Sequence, residues 1–304
     1  MKQDLLGLKD LSAQQIKNIL SHAAEMKKVV LSDSKKIPNL QGKTVVNLFY
    51  ENSTRTRMSF ELAAKYMSAN AANISSSGSS VAKGETLLDT AETLDAMGTD
   101  ILVMRHNMSG APHLIAPVVK ASVINAGDGM NEHPTQALLD MLTMIEHKGH
   151  IDGLKVAIIG DISHSRVVRS NIHGLTKLGA EVTLGGPATL IPKDIDKMGV
   201  KVFNNVQEAI IDADIVMGLR IQLERQKKGL FPSIREYFRF FGVDESRLKL
   251  AKPDAILMHP GPVNRGVELS TSVIDGDKSV ITEQVTNGVA VRMAVMDMLI
   301  HGGF

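Results

Sequence analysis

Residues 44–57 read TVVNLFYENSTRTR, and this stretch sets the expectation for the fold. Thr44–Phe49 is a mostly apolar run, which predicts a strand that is covered by helices on both faces. Ser53 follows shortly after and is a typical N-cap for a predicted helix over 53–67. A buried strand that leads at once into a helix is typical of α/β proteins with parallel sheets.

The same alternation of strand and helix continues along the chain. Further strands are predicted at 100–104, 122–124, 155–159, 181–184, 214–219 and 255–258. Further helices are predicted at 85–97, 135–147, 165–178 and 288–301. Two such sets in succession predict two doubly wound domains with mainly parallel sheets. We expect the first domain to comprise residues 1–134 and 288–304, and the second to comprise residues 135–287.

The composition is that of a globular protein with sizeable cores, since 43% of the 304 residues are hydrophobic and 22% are charged. The net charge is only +1, which indicates no nucleic-acid or membrane surface. Cysteine is missing, which excludes disulfides, thiolate metal ligands and a cysteine nucleophile. Asp4 stands where a signal peptide would be basic, and every apolar run is shorter than the ~20 residues that span a bilayer. We therefore expect a cytoplasmic protein.

Arginines recur where predicted strands end. Arg105 follows the strand at 100–104, and Arg220 ends the strand at 214–219. In open parallel sheets, ligands bind just beyond the carboxyl ends of the strands. Several cationic strand ends together favour a shared anionic ligand.

The segment Ser53-Thr54-Arg55-Thr56 is a candidate phosphate site. A helix N-terminus offers unpaired N–H groups and a positive partial charge, and both favour an anion. The hydroxyl groups add donors, and Arg55 can form a bidentate, charge-assisted pair. The alternative is an ordinary helix cap with solvated arginines. Taken alone, the segment favours neither interpretation.

Two other segments support an anion-binding site when they are considered together with Ser53–Thr56. Residues 75–86, SSSGSSVAKGET, form either a plain loop before a capped helix or an arm that brings Ser80 and Lys83 to an anion. At the start of the next helix, His133 can donate to a carbonyl oxygen and the Gln136 amide can bind a neighbouring NH₂ group.

Two arginines in the second half resemble carboxylate-binding residues. Arg166 lies in the first turn of a predicted helix, and Arg220 with Gln222 lies at a strand end. A guanidinium group presents a planar fork that matches a carboxylate. No rival motif competes: the chain lacks a Gly-x-Gly-x-x-Gly turn, a Gly-x-x-x-x-Gly-Lys-Ser/Thr loop, a His-Glu-x-x-His pair and a Gly-x-Ser-x-Gly elbow.

In their order along the chain, these segments resemble the aspartate/ornithine carbamoyltransferase family. The matching segments are 49–57, 83–86, 125–129, 133–136, 160–161, 165–166, 219–222 and 259–266. The Ser-Thr-Arg-Thr-Arg and His-Pro-x-Gln patterns are specific to that family, and the resemblance covers nearly the whole chain. It implies a carbamoyl-phosphate-binding first domain, an aspartate-binding second domain and an active site in the cleft between them.

The resemblance also implies a role for each matching residue. Carbamoyl phosphate would be bound by Ser53, Thr54, Arg55, Thr56, Ser80, Arg105, His133, Gln136 and the backbone at Gly261 and Pro262. The residues implied to be catalytic are Thr56, Arg105, His133 and Lys83. The residues implied to bind aspartate are Lys83, Arg166, Arg220 and Gln222. Ser79 stays open as an alternative to Ser80, and neither a metal nor a cofactor is implied.

The implied reaction transfers the carbamoyl group of carbamoyl phosphate directly to the amine of L-aspartate, an early step of de novo pyrimidine (UMP) biosynthesis. The implied assembly is a homotrimer in which a neighbouring subunit supplies Ser80 and Lys83. A regulatory chain or a dihydroorotase partner stays open.

The sequence leaves two alternatives to an aspartate-using enzyme. Ornithine is the rival acceptor, but its usual His-Cys-Leu-Pro turn is replaced here by His259-Pro260-Gly261-Pro262, and a Ser-Met-Gly segment is missing. A non-catalytic anion-binding or assembly protein is the alternative of another class. Such a protein should have lost some of the expected residues, and all of them are present.

Overall fold

A computed structural model describes residues 2–75, 85–222 and 233–304. The chain divides into two compact units, Met1–Leu139 with Thr286–Phe304, and Asp140–Val285. These limits lie a few residues from the domain boundaries expected from the sequence. Across the described ranges, no helix has the length and apolar character needed to cross a membrane.

The first unit contains a parallel sheet with the strand order β2-β1-β3-β4. Its strands are β1 (Thr44–Phe49), β2 (Asn70–Ser75), β3 (Ile101–His106) and β4 (Ser122–Asp128). Its helices are α1 (Ala13–Leu31), α2 (Thr54–Tyr66), α3 (Leu87–Ala96), α4 (Ala111–Ile115) and the start of α5 (Pro134–Lys148). The prediction of a parallel α/β unit is therefore confirmed.

Helices bury this first sheet. In β1, every residue after Thr44 is buried. Val46 and Leu102 pack in one cluster with Leu94 of α3 and Ile115 of α4, while α2 packs on β1 and β2. Because burial is nearly complete, the inner strands are continuous apolar runs and not alternating ones.

The second unit contains another parallel sheet, with the order β7-β6-β5-β8-β9. Its strands are β5 (Lys155–Ile159), β6 (Glu181–Gly185), β7 (Lys201–Phe203), β8 (Ile215–Gly218) and β9 (Ile256–Met258). Its helices are α6 (Arg166–Lys177), α7 (Val206–Ile210), α8 (Ile234–Phe241), α9 (Glu245–Leu248), α10 (Thr271–Ile274) and the start of α11 (Ile281–His301). Short 3₁₀ turns lie at Ala188–Leu190 and Ile195–Met198.

The core of the second unit follows the same plan. Ala157 and Ile159 of β5 pack against Ile210 of α7 and Leu248 of α9. Together with the first unit, this confirms the predicted fold class of two α/β domains with parallel sheets.

Three of the departures from the predicted element boundaries have a clear structural basis. β3 continues through His106, so Arg105 lies inside the strand, where it pairs with Phe49. β4 continues to Asp128, because His106 pairs with Asp128 across an irregularity in the ladder. α11 begins at Ile281 and not near Gly288. A Cβ at position 288 would lie 2.5 Å from a guanidinium nitrogen of Arg292, so this glycine makes room for an arginine inside the helix and does not mark its start.

Candidate active site

The N-terminus of α2 lies just beyond the carboxyl end of β1. In the order β2-β1-β3-β4, β2 lies on one side of β1, and β3 and β4 lie on the other. β1 and β3 therefore flank the switch point, where open sheets bind ligands. Ser53 is the N-cap, and its hydroxyl oxygen accepts the N–H of Thr56 at 3.4 Å. Thr54 and Arg55 are exposed, and the first turn contains no acidic residue. Such a helix start suits an anion, although Ser53 also meets the description of an ordinary cap.

Arg105 reaches the same switch point from β3. Its Nη2 lies 2.9 Å from Oε1 of Glu51, and its Nη1 donates to the carbonyl oxygen of Ala126 at 3.3 Å. The side chains of Arg105 and Glu51 are 11% and 24% exposed, so the pair is largely shielded from solvent. Glu51 lies in the segment 49–57 that resembles the family, but the sequence alone predicts no role for it. Its pairing depends on the register of two strands that are distant in sequence.

The loop after β4 is organised around the carboxylate of Asp128, which is fully buried. Oδ1 of Asp128 accepts the side-chain amide of Asn125 at 2.8 Å and the N–H of Glu132 at 3.1 Å. Oδ2 accepts the N–H of Gly110 at 2.6 Å. A buried carboxylate needs such donors, because without them its desolvation would be costly. The hydrogen bonds to Asp128 therefore fix the backbone just before the next predicted site residue.

That residue is His133, which directly precedes α5 and is 4% exposed. Its carbonyl oxygen accepts the N–H of Gln136 at 3.0 Å, and Gln136 is 8% exposed. Pro134 occupies the first position of the helix, as predicted. His133 and Gln136 therefore lie close to each other at the edge where β4 ends.

His106 lies at the end of β3 and belongs to the same edge. Its ring is tilted against Tyr50 with 4.8 Å between centroids, and its Nδ1 accepts the N–H of Met108 at 2.9 Å. Burial lowers the pKa of His106, while the nearby carboxylates of Asp128 and Glu51 act in the opposite direction. No role for this histidine is predicted from the sequence, and in the structure it contacts Tyr50 and the backbone of Met108 in the following loop.

In the second unit, the loop after β5 leads into α6. Asp161 is fully buried, and its Oδ1 contacts both the backbone N–H of His164 at 3.2 Å and the ring Nδ1 of His164 at 2.8 Å. Ser165 is the N-cap of α6, and Arg166 is its first residue and 4% exposed. The contacts of Asp161 thus stabilise the turn before the N-terminus of α6, where Arg166 lies.

Arg220 and Gln222 follow β8, and both are half-buried. In the order β7-β6-β5-β8-β9, the switch point lies between β5 and β8. Leu219 continues the contact between these strands, since its N–H donates to Ile159 at 2.7 Å. The loop with Arg166 and the strand end with Arg220 therefore flank one switch point.

His259 ends β9 and shapes the turn that contains Gly261 and Pro262. The N–H of Gly261 donates to Nδ1 of His259 at 2.8 Å. Nε2 of His259 lies 3.3 Å from Oε1 of Glu268, and both side chains are buried. Since Nδ1 accepts, the neutral ring carries its proton on Nε2, where it faces Glu268. This pair was not found from the sequence because Glu268 lies beyond the turn.

The structure brings the predicted residues together in two sets, one in each unit. The first set lies where β1, β3 and β4 end: Ser53, Thr54, Arg55, Thr56, Arg105, His133 and Gln136. The second set lies where β5, β8 and β9 end: Arg166, Arg220, Gln222, Gly261 and Pro262. Ser79, Ser80 and Lys83 lie outside the described residues. Within the described part of the chain, no group of His, Cys, Asp or Glu side chains could hold a metal ion.

Two α/β units that place arginines and helix N-termini at their switch points are suited to small anionic ligands. Residues 3–146 match the family model "Aspartate/ornithine carbamoyltransferase, carbamoyl-P binding domain", and residues 152–299 match the "Asp/Orn binding domain" of the same family. The chain therefore belongs to the aspartate/ornithine carbamoyltransferase family, and it is a carbamoyltransferase.

Individual relatives agree with this membership. The chain is 72% identical over 297 residues to the aspartate carbamoyltransferase catalytic subunit of Acetivibrio thermocellus, covering 98% of this chain and 95% of the relative. It is similar to the structure of aspartate transcarbamoylase from Trypanosoma cruzi in complex with carbamoyl phosphate and aspartate, with a TM-score of 0.84, 32% identity and coverage of 97% and 96%. It is also similar to ornithine carbamoyltransferase from Pyrococcus furiosus, with a TM-score of 0.87, 31% identity and coverage of 100% and 98%.

Proposed function

We propose that this enzyme transfers the carbamoyl group of carbamoyl phosphate to the amine of L-aspartate, which yields N-carbamoyl-L-aspartate and phosphate. The observation that carries the proposal is the pair of arginines, Arg166 and Arg220, at the switch point of the second sheet. Two guanidinium groups suit an acceptor with two carboxylates. Ornithine carries a cationic side chain, which two arginines would repel. The 72% identity to a relative named for aspartate supports the same choice.

The phosphate half of the site is proposed to lie in the first unit. The exposed Arg55 and the N–H groups at the head of α2 would bind the phosphate oxygens. Ser53 and Thr54 would add hydroxyl donors, and a hydroxyl that accepts a cap hydrogen bond can still donate. Arg105, at the adjacent strand end, would bridge a phosphate oxygen and the carbamoyl oxygen.

The carbamoyl group itself would be oriented by the other predicted contacts. Thr56, Arg105 and His133 would donate to its carbonyl oxygen. Gln136 and the backbone at Gly261 and Pro262 would bind its nitrogen. Gln222 would assist Arg166 and Arg220 in binding aspartate. Lys83 and Ser80 would complete the site from a neighbouring chain.

The chemistry proceeds by direct attack. Carbamoyl phosphate is a reactive mixed anhydride, so the reaction needs neither a covalent enzyme intermediate nor a cofactor. The deprotonated amine of aspartate forms a C–N bond to the carbamoyl carbon, and the carbonyl oxygen gains the negative charge of a tetrahedral intermediate. Donors at that oxygen stabilise the charge. The C–O bond to phosphate then breaks, and the departing phosphate takes the proton from the amine nitrogen.

We also propose an oligomeric state, a location and a pathway for the enzyme. The enzyme would be a homotrimer with shared active sites, acting in the cytoplasm in an early step of pyrimidine (UMP) biosynthesis. The relative from A. thermocellus is named a catalytic subunit, which is compatible with a regulatory chain as a partner. Native mass spectrometry tests the trimer: a mass of three chains is expected, and a monomer at working concentration would contradict shared sites.

Release of phosphate from carbamoyl phosphate tests the proposed activity. The rate should rise and saturate as L-aspartate is added. L-ornithine at the same concentrations should leave the rate at the level of spontaneous hydrolysis. Stimulation by ornithine and not by aspartate would overturn the assignment of the acceptor, while no stimulation by either amine would overturn the proposed transfer.

A further inference from the structure

The N-terminal segment of the chain packs beside β4, just ahead of the loop that carries His133. Leu5 forms a parallel bridge to Ile124. The N–H of Leu5 donates to Val123 and its carbonyl oxygen accepts from Asn125, both at 2.9 Å. Leu5 and Leu8 are fully buried. Leu5 therefore adds a single parallel bridge to β4, the edge strand of the first sheet, and we name residues 4–9 the N-terminal strap.

Glu132 joins the strap to this loop. It directly precedes His133 and is only 5% exposed. Its Oε2 accepts the N–H of Leu8 at 2.7 Å, and its Oε1 accepts the N–H of Lys9 at 3.3 Å. Backbone donors of this kind stabilise a carboxylate that would otherwise be costly to bury. A residue next to His133 is thus held by a segment more than a hundred positions away in sequence.

Gly7 provides the space for this contact. A Cβ at position 7 would lie 2.3 Å from Oε1 of Glu132 and 2.7 Å from its Cδ. The φ angle of Gly7 is outside the left-handed region, so its backbone would accept alanine. The glycine is therefore required by the carboxylate of Glu132 and not by the conformation of the chain.

The backbone of Glu132 is fixed as well. Its N–H donates to Oδ1 of Asp128 at 3.1 Å, and its carbonyl oxygen accepts the N–H of Asp128 at 3.2 Å. On the other side, the carbonyl oxygen of His133 is engaged by the first turn of α5. His133 is consequently held between a closed loop and a helix start, and the side chain of Glu132 ties that loop to the strap.

We propose that Glu132 is a positioning residue for His133, and that Gly7 is needed for activity because it leaves room for the Glu132 carboxylate. The proposal rests on the proposed function, in which His133 donates to the carbamoyl oxygen. A displacement of about 1 Å in such a group can cost on the order of 100-fold in rate. Loss of the contact should therefore lower kcat, while KM for aspartate, which is bound through the second unit, should stay nearly constant.

Steady-state kinetics of Gly7→Ala, Glu132→Ala and the double variant test this proposal. Each single variant should lower kcat by about 10- to 100-fold, with KM for aspartate within about twofold of wild type. In the Glu132→Ala background, Gly7→Ala should have almost no further effect, because the atoms that it would displace are gone. Gly303→Ala is the matched control, since a Cβ there meets only ordinary contacts at 3.8 Å.

Glu132→Gln keeps the volume of the side chain and one accepting oxygen. It should be impaired less than Glu132→Ala, by about 3- to 10-fold in kcat, and it is the variant to measure should the alanine variant fail to fold. Near-normal kcat in folded Gly7→Ala and Glu132→Gln, or effects that add in the double variant, would overturn the proposal. Wild-type turnover with aspartate is measured first, so that a failure of the proposed function is recognised separately.

Discussion

Arg105 and Glu51 form an ion pair across the switch point of the first sheet, with 2.9 Å between Nη2 and Oε1. Arg105 lies near the end of β3, and Glu51 follows β1. The pair places a negative charge beside the position proposed for a phosphate group. Glu51 therefore holds the guanidinium group in place and at the same time opposes the binding of an anion.

Replacement of Glu51 by glutamine should strengthen phosphate binding. The amide oxygen can still accept a hydrogen bond from Arg105, but the like charge is removed. Isothermal titration with inorganic phosphate should show a Kd lower by about two- to tenfold. Glu61→Gln, in the middle of α2 and paired with Lys65, is the control and should leave the Kd unchanged. Weaker phosphate binding in Glu51→Gln would show that the carboxylate acts mainly by holding Arg105.

Arg55→Ala should nearly abolish use of carbamoyl phosphate without unfolding the protein. The loss of a charge-assisted contact to phosphate should lower kcat/KM for carbamoyl phosphate by about 100-fold or more. The side chain is exposed, so the midpoint of thermal unfolding should change little. Lys65→Ala removes a positive charge from the far end of the same helix and should retain activity. Near-normal activity of Arg55→Ala would refute the role of the α2 N-terminus.

The tautomer of His259 predicts that substitutions which imitate Nδ1 and Nε2 differ in activity. Nδ1 accepts the N–H of Gly261, and Nε2 faces Glu268. Asparagine can place an oxygen near the position of Nδ1, whereas glutamine reaches the position of Nε2. His259→Asn should therefore retain more activity than His259→Gln, as measured by kcat/KM for carbamoyl phosphate. The reverse order, or an ¹⁵N spectrum of the wild type with the proton on Nδ1, would contradict this account of the turn.

The pH dependence of stability should contain a contribution from His106. Burial lowers its pKa from the ordinary value of 6.5, so the folded protein binds this proton less readily than the unfolded chain. Below about 6.5 the unfolded state binds more protons, and the free energy of unfolding falls as the pH falls towards the lowered pKa. Urea denaturation from pH 7.5 downwards should show this loss.

The control for that experiment is His106→Asn, which keeps an oxygen able to accept the N–H of Met108. Its free energy of unfolding should decline less steeply over the same pH range. Parallel curves for the wild type and the variant would mean that His106 does not contribute to the pH dependence.

The sequence predicts the inner strands well because they are mostly apolar, as in β1 and β5. β2 was not predicted, since Asn70–Ser75 is a polar, largely exposed edge strand without an apolar pattern. β7 was not predicted because it has only three residues. Strand patterns thus reveal burial, and strands that are not buried leave little signal.

The residues of the candidate site could likewise be predicted only in part. Arginines and hydroxyl residues at strand ends were recognisable, because their chemistry is local to each segment. The partners Glu51 and Glu268, and the contact of Glu132 with the strap, were not recognisable. The Glu51 pair and the strap contact join segments that are far apart in sequence, whereas Glu268 meets His259 across a single turn. Local sequence patterns indicate neither kind of contact.

A competition between acceptors tests the central claim most directly. Wild-type enzyme is given ¹³C-labelled carbamoyl phosphate together with equal concentrations of L-aspartate and L-ornithine, and the products are identified by NMR. Arg166 and Arg220 at the second switch point predict that the label enters N-carbamoyl-L-aspartate and leaves citrulline at background. Label found mainly in citrulline would contradict the account.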